Sequence, residues 1–173
     1  MSAPTIPETL VPARLGEYLE VMTRAVFQAG LSWRGIALHW DAYRREFADF
    51  DAQAVAAFAD DDVDRLMHAE GVLHSSRKIR ATIENAKAML ELDRRPDGFA
   101  GYLRGFRSYD VLVADLRKHF KFMGEMNCWY FLFRVREPVP RFETWVKTIP
   151  GDHPRMKEMV ELARASSSSS ETR

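Results

Sequence analysis

"SSRKIRATIENAKAMLELDRR", residues 75–95, decides the fold. Ile79, Ile83, Ala86 and Leu90 recur at steps of three and four, so they line one side of a helix. Ser75 or Ser76 supplies an N-cap, and Gly71 closes the element before it. A strand would alternate every second residue, and this stretch does not. The same period extends in both directions. "GEYLEVMTRAVFQAG" (16–30) carries apolar residues at helical spacing and stops at Gly30. "SWRGIALHWDAYRREFADF" (32–50) reads as one helix capped by Ser32, with Ile36, Trp40, Tyr43 and Phe47 on one face. "DAQAVAAFA" (51–59) and "DDDVDRLMHAEG" (60–71) are short helices opened by acids, which suit a helix N-terminus. After the turn "RPDG" come "FAGYLRGF" (99–106) and "YDVLVADLRKHF" (109–120). "GEMNCWYFLFRV" (124–135) is strongly apolar and reads as the central buried helix. Its "FLFRV" has strand propensity but continues the longer run. "PRFETWVKTI" (140–149) and "HPRMKEMVELARA" (153–165) complete the set. The expectation is one all-α domain over 13–165 with roughly eight to ten helices. It is preceded by an irregular Pro-rich segment (1–12) and followed by a disordered Ser-rich tail (166–173).

Bulk properties narrow the function. The 173 residues suffice for one domain with a real core. No apolar run approaches the roughly 18 residues that a membrane helix needs. The first residues lack the basic and apolar regions of a secretory leader. One cysteine, Cys128, allows no intramolecular disulfide, so a cytoplasmic setting is expected. Acidic and basic residues balance at 25 each, so any nucleic-acid contact must come from local patches.

Three stretches follow one another at specific spacing: "FQAGLSW" (27–33), "FADFDAQAVAAFADDDVDRLMHAEGVLHSSRKIRATIENAKAMLEL" (47–92) and "LRKHFKFMGEMNCWYFLF" (116–133). Together the chain resembles the DNA-3-methyladenine glycosylase I family of the helix-hairpin-helix glycosylase superfamily, over roughly residues 15–135. The resemblance implies an all-α fold, DNA bound with one base flipped out, and hydrolysis of the N-glycosidic bond of an alkylated adenine.

Physical chemistry gives the motifs roles within that resemblance. A flipped base leaves a gap, which an apolar side chain on a loop fills. Gly30 lets the backbone approach, Leu31 is the wedge, and Ser32 completes the loop. Trp33 offers a platform on which a cationic base gains a cation–π interaction. Phe27, Gln28, Tyr130 and Trp145 are the further base-pocket candidates. In the hairpin, N–H groups at the start of the second helix face a phosphate, with Lys118, His119, Lys121 and Gly124 as the DNA contacts. Arg77, Lys78 and Arg80 read as a solvated basic face.

Three departures from the family pattern stand out. The family carries a base-contacting acid eight positions before the tryptophan, and this chain has Ala25. The family's aromatic and acidic opening segment is missing. The family's zinc, held by two Cys and two His, lacks its ligands, so neither metal nor other cofactor is expected. Cleaving the glycosidic bond builds positive charge on the sugar, which a carboxylate can stabilise. Other branches of the superfamily place an acid just after the hairpin's second helix, which points to Glu143, with Glu125 as its rival. The expected partner is damaged double-stranded DNA and the expected state a monomer. The alternative is a protein that keeps the fold and binds DNA or a small molecule without the chemistry.

Overall fold

The amphipathic segment forms helix α6, Ser76–Asp93, in the computed structural model, which describes residues 9–29 and 33–170. Ser75 is its N-cap: the hydroxyl oxygen accepts from the Lys78 N–H at 3.3 Å. Ile79, Ile83 and Ala86 are buried, and Leu90 is half-buried at the edge of the core. Around it stand α1 (Leu15–Gln28), α4 (Ala52–Ala56), α5 (Asp60–Met67) and α7 (Gly98–Arg104). Farther along come α8 (Tyr109–His119), α9 (Glu125–Arg134), α10 (Phe142–Trp145) and α11 (Pro154–Ser170). Including α2 (Trp33–Leu38) and α3 (Trp40–Glu46), the described residues hold eleven α-helices, two 3-10 turns and no strand.

Two helices are buried on nearly all sides. Every residue of α1 from Val21 to Gln28 is buried, and α9 buries Cys128–Leu132 at 2% exposure or less. Such helices sit in the middle of a bundle rather than on its surface. α1 packs on both α6 and α9, and α8 packs on α9. "FLFRV" belongs to α9 as far as Arg134.

The single helix expected over 32–50 is divided. α2 ends at Leu38, α3 begins at Trp40, and a 3-10 turn follows at Ala48–Phe50. Ala48, Asp49 and Phe50 all have positive φ, near 50–55°. Left-handed residues other than glycine are unfavourable, so tertiary contacts must hold them. Aromatic stacking is that contact. Trp40 stacks on Tyr43 at 4.7 Å and on Phe50 at 5.5 Å, and Phe47 stacks on Phe50 at 5.7 Å. Turning the chain back at 48–50 brings Phe50 into that column, which a continuous helix could not do.

The termini differ in part from expectation. Residues 9–14 carry no helix, while 1–8 lie outside the described residues. The serine run, expected to be irregular from 166, is helical as far as Ser170. Serine is a weak helix former, but extending a nucleated helix is far cheaper than starting one.

Candidate functional site

A cleft of about 880 Å³ opens where five pieces of chain meet, α8 contributing Arg117. The last turn of α1 contributes Ala25, Gln28 and Ala29, and α2 contributes Trp33. The start of α9 contributes Gly124, Glu125, Met126, Asn127 and Tyr130. The segment into α11 contributes Ile149, Asp152, His153, Pro154, Met156 and Met159. The volume lies in the range of small-molecule sites.

One side of the cleft is apolar. Ala25, Trp33, Tyr130 and Met159 pack as one buried cluster. The acids among the lining residues, Glu125 and Asp152, are both exposed at the rim. Glu125 lies 3.6 Å from Arg117, also a lining residue. This exposed pair is loose and leaves the carboxylate open to other partners.

Trp33 is only 3% exposed. The Arg34 guanidinium covers its ring at 4.6 Å from the centroid. Arg34 also reaches across to α11, where it donates to both carboxylate oxygens of Glu158. The bonds from Arg34 hold the Glu158 carboxyl below the usual carboxylate range. The Trp33 indole N–H is sealed from water with no hydrogen bond of ordinary geometry; Glu158 is close enough to feel it, but Arg34 takes the bonds. The platform therefore stands closed beneath α11.

The other residues expected in the site divide between the cleft and elsewhere. Gln28, Tyr130, Glu125 and Gly124 line the cleft. The Tyr130 hydroxyl accepts from Arg134 at 3.3 Å. Phe27 is fully buried in the main core, edge-on to Tyr43 at 5.0 Å, and is not part of the lining. Trp145 packs with Trp129, Phe142 and Val160 in a separate cluster. Glu143 is also outside the cleft. It is exposed and accepts from Arg141 at 3.3 Å and Arg164 at 2.5 Å. Its own backbone N–H at the start of α10, then Arg164, hold its carboxyl below the ordinary value. Gly30, Leu31 and Ser32 lie outside the described residues.

The hairpin joins α8 to α9. His119 ends α8, with Nε2 3.3 Å from Asp115. The left-handed position falls later, on Phe122, at φ 57°. Gly124 precedes the first turn of α9, and a Cβ there would meet nothing within 4 Å, so its surroundings are open. Lys118 and Lys121 are exposed and form no ion pair among the described residues. Arg77 lies over the Phe122 ring at 5.7 Å.

Two bracing residues escaped the sequence reading. Asn85 on α6 is 1% exposed, and its amide grips the hairpin backbone. Its Oδ1 accepts from the Lys121 N–H at 2.7 Å, and its Nδ2 donates to the Lys121 carbonyl at 3.1 Å. Lys78, read as solvent-facing, donates instead to the carbonyls of Phe27 at 3.3 Å and Ala29 at 2.9 Å. A cation there complements the C-terminal end of α1, just before residues 30–32. Burial lowers the Lys78 pKa. A polar residue inside an apolar helical stripe was the available signal for Asn85, and no local pattern marked Lys78.

A zinc site does not fit this chain. The sole cysteine, Cys128, is fully buried, and burial pushes its thiol pKa up to about 12, whereas zinc needs thiolate. Among the described residues no three His, Cys, Asp or Glu side chains gather as a metal-binding group. No described helix is long and apolar enough to cross a membrane.

Comparison with known proteins adds three findings. The family model for methyladenine glycosylase matches residues 15–127. DNA-3-methyladenine glycosylase 1 of Escherichia coli (strain K12) is 31% identical over 126 residues, covering 61% of this chain and 67% of that protein. A crystal structure of 3-methyladenine DNA glycosylase I superposes with a TM-score of 0.63 at 28% identity, covering 73% of this chain and 81% of that one. The family match takes in Trp33 and the hairpin through Asn127. Tyr130 and the α11 wall of the cleft lie beyond it.

Proposed function

The chain belongs to the methyladenine glycosylase family, and from that premise we infer that it removes an alkylated, 3-methyladenine-like base from DNA by hydrolysing the N-glycosidic bond. The observation that carries this reading is the position of the cleft. It lies between Trp33, at the end of the "FQAGLSW" loop, and the first turn of the hairpin's second helix. The platform and the helix start of the hairpin thus border one cavity large enough for a base.

In this reading the DNA backbone lies along the hairpin. N–H groups at the start of α9 face a phosphate, with Lys118 and Lys121 adding charge. The target nucleotide swings out of the duplex, Leu31 enters the gap, and the base takes the apolar side of the cleft against Tyr130 and Trp33. Entry requires α11 to give way, because Trp33 is sealed beneath it. As the bond from C1′ to the base nitrogen breaks, its electron pair leaves with the cationic base, which becomes neutral. Positive charge moves to the sugar, water adds at C1′, and that water's proton passes to solvent. Of the two rim acids, Glu125, in the first turn of the hairpin's second helix, is taken as the carboxylate that stabilises the sugar cation; its position at the cleft edge supports that role. Glu143, already clamped by two arginines outside the cleft, is not so placed. The acting species is taken as a monomer on damaged duplex DNA in the cytoplasm.

The test is release of 3-methyladenine from methylated duplex DNA by the purified protein. Glu125→Gln should slow release by about a hundredfold, and Glu143→Gln should leave kcat unchanged. Binding of methylated duplex with no release above background would establish the fold-retaining binding protein instead. Equal activity of Glu125→Gln and the parent would remove Glu125 from the mechanism.

A further inference from the structure

Gln28 stands out among the lining residues of the cleft. It is 7% exposed, and both polar atoms of its carboxamide, Oε1 and Nε2, are sealed from water without a hydrogen-bond partner. Buried amides are almost always paired, because a donor or acceptor withdrawn from water without replacement is costly. It occupies the last position of α1, with the lining residues Ala25 one turn before it and Ala29 just after. The neighbouring lining is adaptable: Met156 and Met159 on α11 are flexible thioether side chains that repack readily. The Gln28 carboxamide offers the cleft a neutral donor next to a neutral acceptor, both unpartnered.

Resting on the reading of this cleft as the base pocket, we propose that the Gln28 carboxamide is the specificity-determining group that reads the edge of the base. A carboxamide matches an edge that presents one donor beside one acceptor. The substrate class is a bicyclic base with an exocyclic amine next to a ring nitrogen: Oε1 accepts from the amine and Nε2 donates to the ring nitrogen. The amide stays unpaired in the empty protein and gains its partners when the base displaces the methionines.

This assignment makes stability and binding move in opposite directions. Gln28→Met replaces the amide by an apolar group of similar length. A residue held for folding would lose melting temperature on that change. An unpaired amide held for recognition should lose none, and Tm should stay level or rise. Binding is measured by calorimetry with two probes: free 3-methyladenine, and indole, a bicycle of the same size without the amine and acceptor pair. For Gln28→Met the affinity for 3-methyladenine should fall about tenfold or more, as expected for two lost hydrogen bonds, while the affinity for indole is kept. In the unaltered protein labelled with ¹⁵N, the Gln28 side-chain NH₂ signals should shift with 3-methyladenine and not with indole, which tests the contact without any variant. A lower Tm, an equal loss of both probes, or unmoved Gln28 signals in the presence of bound 3-methyladenine would overturn the role of Gln28. An unaltered protein that binds neither probe overturns the base-pocket reading itself, and the Tm comparison then stands alone on whether the amide serves folding.

Discussion

Replacing Asn85 by Leu tests how the hairpin is held. The side chain is buried on α6 and makes two hydrogen bonds to one residue of the turn, at 2.7 Å and 3.1 Å to the backbone of Lys121. Leucine keeps the volume and removes both bonds, leaving an N–H and a carbonyl without their partner. Each such bond contributes about 1–1.5 kcal/mol net, so the loss should be about 2–3 kcal/mol. For a domain of this size each kcal/mol shifts Tm by about 2–4 °C, so the melting point should fall by about 4–12 °C. The same change should weaken binding to undamaged duplex DNA, because Lys121 and the N–H groups at the start of α9 are then no longer held in place. Thermal melting and a salt titration of DNA affinity read the two effects. An Asn85→Leu protein with unchanged Tm and unchanged DNA affinity would refute both the bracing role and the use of this hairpin for DNA.

The attachment of α11 should depend on pH. Glu143 and Glu158 both have carboxyls held below their ordinary value, with Arg164 and Arg34 contributing from across the contact. For a depressed carboxyl pKa, the stabilising contribution is complete above the unfolded value, near 4.5, and is lost as pH falls through the lower folded value. Tryptophan fluorescence should therefore report exposure of Trp33 in that acid range, and the change should be smaller in the Glu143→Gln, Glu158→Gln double variant. Ile79→Ala, at a fully buried position on α6, should cost about 2–5 kcal/mol in a denaturant titration. A cost under 1 kcal/mol would show that α6 is not the centre of the core. Cys128, with its thiol pKa pushed up to about 12 by burial, should resist iodoacetamide at pH 8 until the protein is unfolded, as followed by mass spectrometry. Rapid labelling of the native protein would contradict its burial in α9.

Much of the fold was legible in local pattern. Ile79, Ile83 and Ala86 repeat at helical spacing, Ser75 precedes them as a cap, and both features appear in α6 as expected. The run from 124 to 135 is strongly apolar, and α9 accordingly buries Cys128–Leu132. The division of 32–50 was not legible, because the reversal at Ala48–Phe50 is imposed by aromatic rings stacking across turns. The candidate site was legible in part. Trp33, Gln28, Tyr130, Glu125 and Gly124 do meet at one cleft, while Phe27, Trp145 and Glu143 lie elsewhere.

From the residues alone came the helices, their inner faces and the resemblance that points to a DNA-repair activity. Helical periodicity is a local property, written in spacings of three and four, so it survives without knowledge of the partners. Tertiary structure alone decided that Glu143 is spent on two arginines, that Lys78 holds the end of α1, and that α11 closes over Trp33. Those outcomes depend on which faces meet and how far apart charged atoms come to rest. Segments distant along the chain set those distances, and no spacing within one helix encodes them.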